Sequence, residues 1–131
     1  GRIAAVAATT SGFLIEVGAI LAAGNDAVGA TSFSSALKGL PGEFARRVML
    51  VTDPLEAPDL AGALFEGGPD ALAAAMRKLA ERPGPIVRLQ ALTPERLAAG
   101  EDFSLADLVE EIAVATNTSA AGGNASLMTI G

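Results

Sequence analysis

The run Ile3 to Ala8 reads IAAVAA, with no polar residue at alternate positions. A strand with one face in water alternates; this one must be buried on both faces, as strands inside parallel sheets are. A parallel neighbour is reached only through a long crossover, normally a helix. The chain supplies one at once. Thr9-Thr10-Ser11-Gly12 offers N-cap side chains, and Phe13, Leu14, Val17, Ile20 and Leu21 then share one helical face as far as about Ala23. Gly24-Asn25 closes that helix in the manner of a C-cap.

The alternation continues. Asp26 to Ala30 reads as a second short strand. Thr31 to Gly42 is punctuated by Ser, Gly and Pro, with one helical turn expected around Ser35 to Leu40. Arg47 to Thr52 is strongly strand-like; Asp53 to Asp59 is a loop; Leu60 to Phe65 is another strand. Gly67-Gly68-Pro69-Asp70 starts a helix with Pro69 near its first position. Leu72, Ala75, Met76 and Leu79 are expected to form its core stripe, and Arg82-Pro83-Gly84-Pro85 stops it. Ile86 to Leu92 is expected as a strand and Thr93 to Gly100 as a short helical turn. Ser104 caps a further helix whose apolar face is Leu105, Leu108, Val109 and Ile112, giving way to a strand at Ala113 to Thr116. The sum is an α/β fold: a Rossmann-like, mostly parallel sheet flanked by helices, with a glycine-rich C-terminal tail. Residues 1–116 form the layered domain and 117–131 the tail.

Composition removes several function classes. The chain has 131 residues, enough for one domain with its own core, and is 50% hydrophobic, which excludes disorder throughout. Gly, Glu16, Asn25 or Asp26 break the apolar stretches well before the roughly 18 residues that a membrane span needs. A net charge of -6, with 4% aromatics that are all Phe, argues against a nucleic-acid partner. With no cysteine there is no disulfide and no thiolate nucleophile, and with no histidine the commonest general base and metal ligand is missing. No catalytic or metal-ligating residue is therefore nominated. A cytoplasmic location is expected. Gly1-Arg2 opens directly into a strand, so no signal peptide is expected. Without an initiator Met, the chain is expected to be a piece of a longer one.

The loop Thr9, Thr10, Ser11 and Gly12 lies between a strand and a helix N-terminus, a usual place for a cofactor phosphate. No glycine-rich dinucleotide fingerprint or P-loop is present, so these are weak cofactor candidates, and a plain capped turn is favoured. For Glu16 a solvated or paired carboxylate, with Arg2 or Lys38 as partner, is favoured over a general base. Asp53 and Glu66 fall at strand C-terminal ends, where open α/β sheets bind ligands; two carboxylates there would suit a ribose or a metal. Turn-forming roles are favoured.

The tail, Asn117 to Gly131, is apolar, small and uncharged, unlike the polar content usual at a chain end. It either closes the domain's own core or inserts into another surface, a homo-oligomer included. Gly122, Gly123, Asn124, Ala125 and Ser126 suit equally an anion-binding nest and a tight turn; Leu127, Met128 and Ile130 are candidate apolar anchors.

The tail NTSAAGGNASLMTIG closely resembles the extreme C-terminus of the bifunctional proline utilization A family, and so does ALFEGGPDALAAAMRKLAERPGPIV with the RLQAL that follows. The stretch GRIAAVAATTSGFLIEVGAILAAGNDAV resembles the start of an aldehyde dehydrogenase Rossmann domain, Ala22-Ala23-Gly24-Asn25 matching its turn. The resemblance implies a parent oxidoreductase with FAD at a proline dehydrogenase site and NAD at a pyrroline-5-carboxylate (glutamate semialdehyde) dehydrogenase site. Longer members carry a C-terminal, aldehyde-dehydrogenase-like domain that does not catalyse but covers the dehydrogenase site and helps seal the channel between the two. It implies the dehydrogenase domain of the same polypeptide as partner, and no cofactor in this part of the chain. Two departures agree. The family's nucleophilic cysteine is absent, and its NAD-binding lysine–proline–serine–glutamate run is replaced by Gly29-Ala30-Thr31-Ser32-Phe33. The rival expectation is a dinucleotide-binding domain that still holds NAD.

Overall fold

The structure, a computed structural model, describes residues 1–108. The expected strand at Ala113 to Thr116, the helical positions Val109 and Ile112, and the tail with Gly122, Gly123, Asn124, Ser126, Leu127, Met128 and Ile130 lie outside the described residues.

Five strands, β1 (Arg2–Ala7), β2 (Asp26–Ala30), β3 (Val48–Val51), β4 (Leu60–Glu66) and β5 (Leu89–Leu92), form one sheet in the order β3-β2-β1-β4-β5. All four pairings are parallel, with Ile3 opposite both Ala27 and Gly62, Val28 opposite Met49, and Phe65 opposite Ala91. The sequence thus forms the expected parallel α/β sheet, in the Rossmann-like strand order that reverses between β1 and β4.

Successive side chains of a strand point to opposite faces, and β1 sends Ile3 and Ala5 one way and Ala4 the other. On the first face α1 (Thr10–Ala22) lays Phe13, Val17 and Ile20 against Ile3, Ala5, Ala27 and Leu64. The short helices α2 (Ser34–Leu37) and α3 (Gly42–Ala45) follow β2; Leu37 and Leu40 pack on that same cluster, and Phe33 stacks on Phe13 with ring centroids 4.4 Å apart. On the opposite face α4 (Pro69–Ala80) packs Ala75 and Leu79 against Ala4, Ala63 and Phe65.

Local signals explain the boundaries. Thr9, extended at φ -127 and ψ 157, caps α1 by accepting the Gly12 N–H at 2.9 Å. At the other end Gly24 takes φ 86, its N–H donates to the Leu21 carbonyl and the Asn25 N–H to that of Ile20. This is a Schellman closure, which a residue with a Cβ adopts only under strain. Asp53 accepts the Leu55 N–H and so caps a 3-10 turn at Pro54–Glu56. Lys78 of α4 pairs with Asp53, and Arg82 Nη1 donates to the Leu55 carbonyl at 2.6 Å, tying that turn to the end of α4.

Several expectations need correction: Leu14, 38% exposed, and Leu105, 43% exposed, are not buried with the other residues of their expected apolar faces. Met76 is 56% exposed and not in the core. Ala75 and Leu79 are enough to cover the sheet, and Met76 instead lines an open apolar groove of about 490 Å³ with Leu72, Pro85, Ile86 and Leu89. The strand expected from Ile86 begins only at Leu89, because its pairing with β4 starts at Ala63 opposite Leu89; Ile86 follows Pro85 outside the ladder and is 93% exposed.

After β5, Thr93 caps α5 (Pro94–Ala98) through the Arg96 N–H. The Gln90 side chain then grips the returning backbone: Nε2 donates to the Ser104 carbonyl at 3.2 Å and Oε1 accepts the Ser104 N–H at 2.8 Å. Ser104 in turn caps the next helix through the Asp107 N–H, and Phe103 and Leu108 enter the core on the α1 face.

Candidate functional site

Strand order reverses between β1 and β4: β1 leads to β2 on one side, β4 to β5 on the other. The crevice beyond their C-terminal ends is where a ligand enters such a sheet. Its walls are the β1–α1 loop, Ala8 and Thr9, the first turn of α1, to which Thr10, Ser11 and Gly12 belong, and the end of β4 at Glu66.

A side chain of the protein spans these walls. Glu66, 3% exposed, reaches across from β4. Its Oε1 accepts the Ala8 N–H at 2.8 Å and the Thr9 N–H at 3.0 Å; its Oε2 accepts the Thr9 hydroxyl at 2.7 Å. Thr9 Oγ1 meanwhile accepts the Gly12 N–H, so the carboxylate is joined by a two-step relay to the first turn of α1. Donors of this kind, at the positive end of a helix, are what an oxyanion needs. Gly12 is required here by contact: a Cβ on it would lie 2.3 Å from the Glu66 carboxyl carbon.

Glu16 lies one turn further along α1, four residues from Gly12. It is fully buried, and among the described residues neither carboxyl oxygen has a hydrogen-bond partner. Burial first, and the Glu66 charge second, push its pKa from 4.5 up to about 10. The expectation of a solvated or paired carboxylate is therefore corrected: Glu16 is a neutral acid on the buried face of α1, and neither Arg2 nor Lys38 hydrogen-bonds to it. Its burial was readable in outline. It stands three residues after Phe13 and four before Ile20, in phase with the buried stripe.

Glu66 and Asp53 do not come together. Their strands are separated by β2 and β1, about 14 Å at the usual strand spacing. Each carboxylate organises backbone: Asp53 caps its own turn, and Glu66 caps the end of β1. Among the described residues no group of three or more His, Cys, Asp or Glu is placed to hold a metal, and no helix is long and apolar enough to cross a membrane. The reach of Glu66 over the β1–α1 loop, 57 residues away in sequence, had no local signal.

Fold and site define a class: an open parallel α/β domain whose switch-point crevice is occupied by its own carboxylate. No protein-family model matches the chain. Over its full length, however, it is homologous to part of the bifunctional PutA proteins. It is 40% identical to Bifunctional protein PutA of Rhizobium meliloti, covering 100% of this chain and 11% of that protein. The Escherichia coli protein of the same name is 33% identical over 99% of this chain and 10% of its own length. A crystal structure of a Bradyrhizobium japonicum Proline Utilization A mutant superposes with a TM-score of 0.54 at 28% identity, over 71% of this chain and 11% of that one. The chain thus spans about a tenth of the length of the curated relatives it matches.

Proposed function

We propose that this chain is the C-terminal, non-catalytic domain of a bifunctional proline-catabolic oxidoreductase, the parent using FAD to oxidise proline and NAD to oxidise glutamate semialdehyde. In this reading residues 1–116 are the layered domain and 117–131 the tail. The domain stabilises the dehydrogenase part of the same polypeptide, in the cytoplasm, and helps close the path along which the intermediate travels. It holds no cofactor itself. The observation that carries the reading is Glu66, whose carboxylate takes the donors a dinucleotide phosphate would need. The full-length homology to a tenth of PutA supports the parent.

Sealing a path requires packing, not reactive groups. Leu127, Met128 and Ile130 supply apolar area, and Gly122 and Gly123 allow close backbone approach. Burying two such side chains is worth roughly 3–6 kcal/mol, close to the entropic cost of ordering a short segment. The tail therefore binds well only when tethered, where effective concentration is high.

Two experiments test this. Calorimetric titration of NAD into the 131-residue chain should give no saturable heat at millimolar NAD; micromolar binding that perturbs Thr9 to Gly12 would establish the rival cofactor-holding domain. Removing Asn124 to Gly131 from the parent should lower coupled proline-to-glutamate flux more than the flavin step measured alone. Equal losses in both would refute the sealing role.

A further inference from the structure

The donors around Glu66 are more than a capped turn requires. A cap needs one acceptor for the first turn of α1, and Thr9 Oγ1 already provides it. The loop nevertheless offers the Ala8 and Thr9 N–H groups and the Thr9 hydroxyl to a second, charged acceptor. A second observation points to a ligand in the same place. Glu16, fully buried one turn below Gly12, feels the charge of Glu66 and has both carboxyl oxygens unpartnered among the described residues. Buried polar atoms are almost always paired; Glu16 stands four residues after Gly12 on the same helix face, the face that meets the Glu66 carboxylate, so an unpartnered buried polar group borders the position that carboxylate occupies.

We propose that Glu66 is a tethered stand-in for a phosphate: it sits at the anion position of a crevice that has kept its donors, and removing its side chain opens a site for pyrophosphate. This rests on the reading of the domain as one that holds no cofactor, and explains how the crevice is kept empty of one. Three features make Glu66 a good substitute. Two oxygens on one carboxylate take three donors, as the edge of a phosphoryl group would. The side chain comes from the neighbouring strand, so its local concentration exceeds any free anion's. Gly12 leaves room for the carboxylate where any Cβ would collide with it. The closed crevice then has two effects: the β1–α1 loop is held without a ligand, and a free anion meets both occupied donors and a like charge.

The test uses inorganic pyrophosphate as probe on the 131-residue chain, read by calorimetry and by thermal shift. Wild type should show neither heat nor shift at millimolar pyrophosphate. Glu66→Ser, which removes the carboxylate and leaves a small hydroxyl, should bind it at least about tenfold more tightly than wild type and be stabilised by it, since the donors are freed and the repulsion is gone. Glu66→Gln, which refills the space without charge, should stay closed. If Glu66→Ser alone does not fold, the same measurement is made with Glu16→Gln added, because that change removes a buried acid and raises stability. Equal pyrophosphate binding by wild type and Glu66→Ser overturns the proposal, as does a folded Glu66→Ser chain that binds none. NAD binding by wild type would refute the cofactor-free reading itself, and is a separate outcome from failure of the serine variant to take pyrophosphate.

Discussion

Glu16→Gln should make this chain more stable, by an amount set by pH. The Glu16 carboxyl is held near pKa 10 in the folded state, against 4.5 as its ordinary value. Between those values the folded chain keeps a proton that the unfolded chain has released. The unfolded state binds fewer protons, so stability falls as pH rises through this window and levels off above it. Each pH unit is worth about 1.4 kcal/mol, and pH 7 stands about 2.5 units above the lower limit, so folding gives up about 3 kcal/mol at neutrality. Glutamine has nearly the same shape and no proton to lose. Its amide is no better partnered than the acid, so the burial penalty for polar atoms stays and only the pH-linked part disappears. Urea unfolding of wild type and variant from pH 4 to pH 9 isolates that part, because the other carboxylates titrate equally in both. The two chains should be equally stable near pH 4, with the variant ahead by about 3 kcal/mol at pH 7 and further ahead at pH 9. A difference that does not change with pH, or a wild type that gains on the variant above pH 6, would refute a buried, protonated Glu16.

Two more substitutions probe the same region. Gly12→Ala should cost about 1–3 kcal/mol, since the new Cβ collides with a carboxylate pinned by three donors; chemical denaturation measures it, and a neutral result would mean that Glu66 moves aside freely. Leu64→Ala in the centre of β4, fully buried between β1 and β5, should cost about 2–5 kcal/mol by leaving a cavity, again read by denaturation.

Much of the fold was legible because its signals are local. The unbroken apolar run of β1, the Thr9 cap and the Gly24 closure each state a conformation in a few residues, and the structure places them where the sequence does. Met76 departs from the expected stripe because helical periodicity gives a direction and not a width: Ala75 and Leu79 cover the sheet, and the residue beside them faces out. Ile86 lies outside the ladder despite its β propensity, because propensity does not show where a partner strand begins. The site was the least legible part. Nothing near Glu66 in sequence announces that its carboxylate closes over Ala8 and Thr9, since that contact exists only once β1 and β4 lie side by side. Glu16 lay in phase with buried neighbours, but charge argued for solvent, and the cost of burying it shows up in its proton affinity.

The Gln90 amide acts as a clasp on the chain that returns after α5. It meets Ser104 with one donor and one acceptor, the same pair that a strand's peptide group would offer. The excursion from β5 through α5 is therefore pinned at both ends, while its middle touches the core mainly through Leu97. A segment anchored in this way can be lengthened or shortened at modest entropic cost, because loop closure depends only logarithmically on length. Homologues of this domain should thus tolerate insertions around Ala98 to Glu101. A reporter peptide spliced there should leave the direction in which the rest of the chain departs unchanged.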